Sequence, residues 1–89
     1  MTTVVASHAV GDMATWLAGG DHRKALFANF CSSYRIFRHA NEDRVSIVFE
    51  GADLEKMQAI INSDEGKAAR AKHSVIEPVE IHVEIEGGT

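Results

Sequence analysis

Hydrophobic residues follow two periods along the chain, and each stretch keeps to one of them. Val4 and Val5 open a β-branched run from about Thr3 to Val10 that stops at Gly11-Asp12, which reads as a strand. Met13, Trp16 and Leu17 then fall at i, i+3 and i+4, one face of a helix, with Asp12 placed to cap it. Gly19-Gly20 interrupts that pattern, and Asp21 can start a second helical piece carrying Leu26, Phe27 and Phe30. The spacing therefore predicts helix from Met13 to about Asn29, broken or bent at the glycines.

Ser33 to His39 alternates, with Tyr34 and Ile36 on one face and Arg35 and Phe37 on the other. Arg44 to Glu50 alternates again, with Val45, Ile47 and Phe49 on one side. The polar residues Ala40-Asn41-Glu42-Asp43 between them are turn chemistry, so the pair reads as a β-hairpin ended by Gly51. Leu54, Met57, Ile60 and Ile61 form a helical stripe behind Asp53. Asn62 (with Glu65 three residues on) or Ser63 can cap a restart running from Glu65 to about Lys72. Pro78 is expected to end the connection. Val79, Ile81, Val83 and Ile85 then alternate with Glu80, His82, Glu84 and Glu86, which predicts a last strand over Glu80–Glu86.

The order β-α-β-β-α-β predicts an α+β, ferredoxin-like fold. Right-handed crossovers place the helices on one face of a four-stranded antiparallel sheet and leave the other face without a helix. At 89 residues the chain is one domain, 1–89, with Met1 and the tail Gly87-Gly88-Thr89 expected to be disordered. A chain this short buries only about 60–65% of its unfolded surface, so self-association through the open face is a natural way to bury more.

Charge narrows the partners. Nine Lys+Arg against thirteen Asp+Glu give a net charge of −4, which offers no general attraction for phosphate backbones or anionic lipid. The fold order is shared with RNA-recognition domains, but their aromatic Lys/Arg-Gly-led pattern is missing. No apolar run approaches the roughly 20 residues of a membrane span, and the first residues lack the pattern of a secretion signal. The single Cys31 has no partner for an internal disulfide, so a cytoplasmic protein is expected. Nothing in the spacing calls for a cofactor. The five histidines show no metal-ligand spacing, although His8 and His82 lie on strands that neighbour each other in this topology.

The frame His8-x-Val10-x-Asp12-x3-Trp16, then Tyr34-Arg35-Ile36-Phe37-Arg38, Asp43-x-Val45, Asp53-Leu54-Glu55, Asn62-Ser63-Asp64-Glu65-Gly66-Lys67-Ala68-Ala69 and Pro78, resembles the small proteins of the dimeric α+β barrel superfamily. That group includes antibiotic-biosynthesis-type monooxygenases, heme-degrading monooxygenases and stress-responsive barrel proteins. The resemblance implies a homodimer whose open sheet faces pack into a barrel, with a ligand site between helices and sheet in each subunit. Heme-degrading members carry an Asn at the end of the first strand, a Trp on the second long helix and a His after a Lys-Ala-Ala run. The matching positions here hold Ala6 or Ser7, Ile60 and Arg70, so none of the three is kept. The short members also carry a large apolar residue one turn after the Trp. Here that place is Gly20, which is expected to open space beside Trp16.

On that reading the candidate ligand site comprises His8, Trp16, Tyr34, Phe49, Arg70 and His73, facing a small apolar or aromatic molecule. His8 suits acid–base work because imidazole titrates near neutrality, and it equally suits a backbone-bonded place at the core edge. Trp16 at helical spacing is first of all a core residue, which does not prevent it from walling a cavity. Cys31 has no base signalled beside it and reads as structural. The acidic row on the last strand reads as a solvated or interface face. It could pair with Arg35, Arg38, His39 and Arg44 across a dimer. Two functions follow: a cofactor-independent monooxygenase-like enzyme on a small aromatic or polyketide-like substrate, or a non-catalytic binding or structural dimer module.

Overall fold

A computed structural model describes residues 2–87; of the tail expectation, Met1, Gly88 and Thr89 lie outside the described residues. The elements are β1 (Thr2–Val10), α1 (Met13–Ala18), α2 (Gly20–Phe27), β2 (Ser33–Arg38), β3 (Arg44–Ala52), α3 (Leu54–Asn62), α4 (Asp64–Lys72) and β4 (Val75–Val83). The sheet order is β2-β3-β1-β4 and every neighbouring pair is antiparallel, the ferredoxin-like arrangement. Each crossover is split into two short helices, so the order is βααββααβ.

The splits have local causes. Asp12 accepts from the Thr15 amide at 3.1 Å and starts α1, which ends where the Gly19 amide turns back to the Trp16 carbonyl at 3.1 Å. Asp53 caps α3 through the Lys56 amide at 3.2 Å. Between α3 and α4, Ser63 rather than Asn62 is the cap. Its hydroxyl donates to the Ile60 carbonyl at 2.6 Å and accepts from the Gly66 amide at 3.0 Å, closing one helix and opening the next.

Strand alternation sets the two sheet faces. Val4, Ala6, His8 and Val10 of β1 and Val45, Ile47 and Phe49 of β3 turn toward the helices and are buried. Trp16, Phe30, Met57 and Ala69 close the core from above. Phe49 lies edge-on to Phe27 and Phe30, with centroids 4.9 and 5.2 Å away. Each such fully buried large side chain contributes about 1.5–3 kcal/mol. The opposite face carries Val5, Ser7 and Ala9 of β1 with Ser46 and Val48 of β3, flanked by Phe37 and Ile76, both about half exposed.

Two strand ends differ from expectation. β3 does not stop at Gly51. Gly51 adopts φ 59° and forms a bulge, after which Ala52 still pairs with Thr2. β4 begins at Val75, five residues before Glu80, and runs through Pro78 to Val83. Ser7 pairs with Glu80 but Ala9 with Ile76, so the residues around Pro78 bulge out of the ladder on an edge strand, where a missing N–H is tolerated. Ile85 lies beyond the strand and is 80% exposed. His82 pairs with Val5, on the open face, whereas His8 faces the helices, so the two do not form a cross-strand pair. Arg44 meets Glu80 at 3.6 Å within the chain, and Arg38 meets Asp43 at 3.0 Å in the hairpin.

Candidate functional site

A cavity of about 100 Å³ lies between the sheet and all four helices. Its floor is Ala6, His8, Ile47 and Phe49, with Val79 and Ile81 toward the β4 edge. Leu26, Phe27, Met57 and Ile60 wall it with apolar side chains. The polar groups on its surface are His8, Trp16, Arg23, Arg70 and His73; the lining holds no carboxylate.

Five of the six expected residues, His8, Trp16, Phe49, Arg70 and His73, line this cavity. Tyr34 does not. Alternation puts it on the helix side opposite Phe49, but β2 is an edge strand and its ring packs behind the wall, edge-on to Phe27 at 5.0 Å.

His8 is 5% exposed and its Nδ1 lies 2.9 Å from the Ala9 carbonyl. A carbonyl only accepts, so Nδ1 carries the proton and Nε2 of the neutral ring keeps its lone pair. Burial pushes the imidazole below its ordinary value; the Ala9 bond opposes this, and Arg23 and Arg44 add to it. The ring meets Trp16 edge-on, centroids 6.2 Å apart.

Arg23 is the residue that pattern reading missed. Two turns after Trp16, it is 5% exposed, and its guanidinium carbon sits 3.7 Å from the centre of the Trp16 ring. One terminal nitrogen donates to the Trp16 carbonyl at the frayed end of α1. The place that Gly20 leaves is bordered by this side chain and is otherwise open: a Cβ there would meet only Arg23 Nη2, at an ordinary 4.0 Å. Among the described residues, neither Arg23 Nε nor Trp16 Nε1 has a hydrogen-bond partner, and both are buried.

His73, 4% exposed, follows α4 and exchanges a hydrogen bond with His22 of α2, Nε2 to Nδ1 at 3.1 Å. One of those two nitrogens must be unprotonated for the bond to exist. Burial, then Arg23, His22 and Lys72, hold His73 below its ordinary value. This pair clamps α2 to α4 over one end of the cavity. Arg70 donates to the Ile61 carbonyl and to Glu77, each at 2.9 Å, and ties α4 to α3 and β4. Cys31 donates to the Phe27 carbonyl at 3.3 Å, and burial raises its thiol, which suits packing and not attack.

No family model matches the sequence, and no curated protein sequence matches it significantly. The fold does match solved structures. An antibiotic biosynthesis monooxygenase crystal structure superposes with a TM-score of 0.61 at 12% identity, over 96% of this chain and 97% of that one. The protein PA3566 from Pseudomonas aeruginosa gives 0.56 at 15% identity, over 94% and 93%. Rv0793 from Mycobacterium tuberculosis gives 0.51 at 15% identity, over 94% and 92%. The chain thus has the ferredoxin-like α+β fold of antibiotic biosynthesis monooxygenase structures over nearly its whole length. Among the described residues no helix is long and apolar enough to cross a membrane.

Proposed function

We propose that this chain is a homodimeric protein that takes a small aromatic or polyketide-like molecule into the helix–sheet cavity and oxygenates it without a cofactor. The observation that carries this reading is His8. A buried neutral imidazole, its tautomer fixed by Ala9, sits among the apolar residues Ala6, Ile47 and Phe49 on the floor of the chamber. In that setting Nε2 can take a proton from an activated methylene of the substrate. The carbanion then reduces dioxygen, one oxygen atom stays on carbon as a carbonyl, and the other leaves as water. The substrate supplies all four electrons, so no external reductant is needed. The apolar walls admit dioxygen and keep bulk water from the carbanion. The fold shared with an antibiotic biosynthesis monooxygenase supports a monooxygenase reading.

The open sheet face supports the dimer. Val5, Ala9 and Val48 surround the hydrogen-bonded Ser7–Ser46 pair at its centre, with Phe37 and Ile76 at its flanks, a surface of small and apolar side chains that a second copy would cover. A second reading, a non-catalytic binding or structural module, is favoured by the cavity volume. About 100 Å³ is below the roughly 300–1,000 Å³ of pockets that enclose drug-sized ligands. Oxygen uptake separates the two. A panel of hydroxylated aromatic and polyketide-like compounds should include one that consumes dioxygen with this protein, and His8→Gln should abolish that uptake while the fold persists. Binding without uptake across the panel would favour the second reading.

A further inference from the structure

Four features of the cavity do not follow from a purely apolar ligand. The buried guanidinium of Arg23 has no carboxylate anywhere on the cavity surface. The one acidic group that acts on it is the Tyr34 phenol, which does not line the cavity. Its Nε–H and the Trp16 Nε1–H are both buried donors without an acceptor. The remaining ionisable groups on the wall, His8, Arg70 and His73, are all bases, and the one acid paired to any of them is Glu77, on Arg70 outside the cavity.

Unsatisfied buried donors are rare in folded proteins, and two of them on side chains stacked on each other ask for an acceptor. A guanidinium cannot discharge by losing its proton, so burial leaves it in need of a counter-charge. The Trp16 face and one carbonyl supply part of that need. An anion would supply the rest. Apolar walls over the remaining surface ask for a flat hydrocarbon body behind the anion, and about 100 Å³, less than the roughly 150 Å³ that encloses benzene, limits it to a single ring that extends through the open side of the cavity.

We infer that the cavity is an acid-selective site: its ligand is a small aromatic carboxylate whose oxygens accept from Arg23 Nε–H and Trp16 Nε1–H, with the ring lying among Leu26, Phe27 and Met57. A carboxylate fits better than a phenol because its charge at neutral pH is as permanent as that of the guanidinium, and its two oxygens match two donors. The inference rests on the cavity being a small-molecule site and adds the charge of what enters it.

The test uses the full chain and three probes of nearly equal shape: benzoate, benzamide and benzyl alcohol. Trp16 is the sole tryptophan, so a ¹⁵N-labelled sample gives a single indole N–H resonance that reads the site directly. Benzoate should shift that resonance downfield and bind at least about tenfold more tightly than benzamide, as a charge-assisted hydrogen bond requires. Arg23→Met should bring benzoate down to the affinity of benzamide; if that variant does not fold, the wild-type comparison still decides. Equal affinity for benzoate and benzamide overturns the acid-selective site and leaves the small-molecule cavity standing. Failure of all three probes to move the indole signal overturns both.

Discussion

The guanidinium carbon of Arg23 lies 3.7 Å above the centre of the Trp16 ring, and one of its nitrogens donates to the carbonyl of the same tryptophan. One side chain thus covers the face of Trp16 and adds a second donor to the carbonyl at which Gly19 ends the helix. A desolvated cation–π contact is worth about 2 kcal/mol, while burying a guanidinium costs several, so in the absence of a ligand the balance is close to even or adverse. Arg23→Met, which keeps the stem and removes the charge, should therefore leave the ligand-free protein within about 1 kcal/mol of wild type or above it. Urea unfolding checks this, and a loss above about 3 kcal/mol would mean that Arg23 is retained for stability alone.

The adjacent glycines should behave oppositely. A Cβ on Gly19 would stand 2.7 Å from the His73 ring and 3.0 Å from Arg23 Nη1, and His22 holds that ring in place. Gly19→Ala should lose about 1–3 kcal/mol through overpacking. At Gly20, a helical position with open space around it, Ala should be neutral or stabilising by up to about 1 kcal/mol. Equilibrium denaturation of the two variants side by side is the check.

Stability should fall on the acid side. The imidazoles of His8 and His73 lie below their ordinary value of 6.5 in the folded protein, so below that pH the unfolded chain binds more protons than the native one. Their contribution is complete above about 6.5 and is lost as the pH falls from there toward their folded values. Thermal unfolding between pH 8 and 5 should show this decline as a melting temperature that holds steady down to about 6.5 and then drops. His73→Gln should flatten the drop in part. A melting temperature that rises on acidification would contradict the placement of both rings.

Cys31 should alkylate slowly. Its thiol is half-buried, raised by burial and engaged with the Phe27 carbonyl, so little thiolate forms near pH 8. Iodoacetamide should modify the native protein far more slowly than the urea-unfolded chain, with mass spectrometry as the readout.

Much of this architecture is legible in the chain. Alternation at Val45, Ile47 and Phe49 and helical spacing at Leu54, Met57 and Ile60 survive intact because each element buries a single face. Pro78 misled the reading of β4. It marks a boundary in most contexts, and only the pairing of Val75 and Ile76 with Val10 and Ala9 shows that the strand continues across it as a bulged edge. Tyr34 has the right face and the wrong place, since alternation fixes a side of the sheet but not the extent of the helices above it. Arg23 was hidden for another reason. An arginine on a short helix ordinarily reaches water, and the break at Gly19 prevents the Trp16 periodicity from being extended to it.

Whether this chain is a dimer with a small molecule in each helix–sheet cavity is read in one step by native mass spectrometry of protein purified gently from its own host. Subunit number and bound mass appear together in that spectrum. The expected species is a dimer of the 9.7 kDa chain that carries a reproducible extra mass of a small aromatic molecule in each subunit. A bare monomer, unchanged when such compounds are added to saturation, would contradict both the assembly and the site.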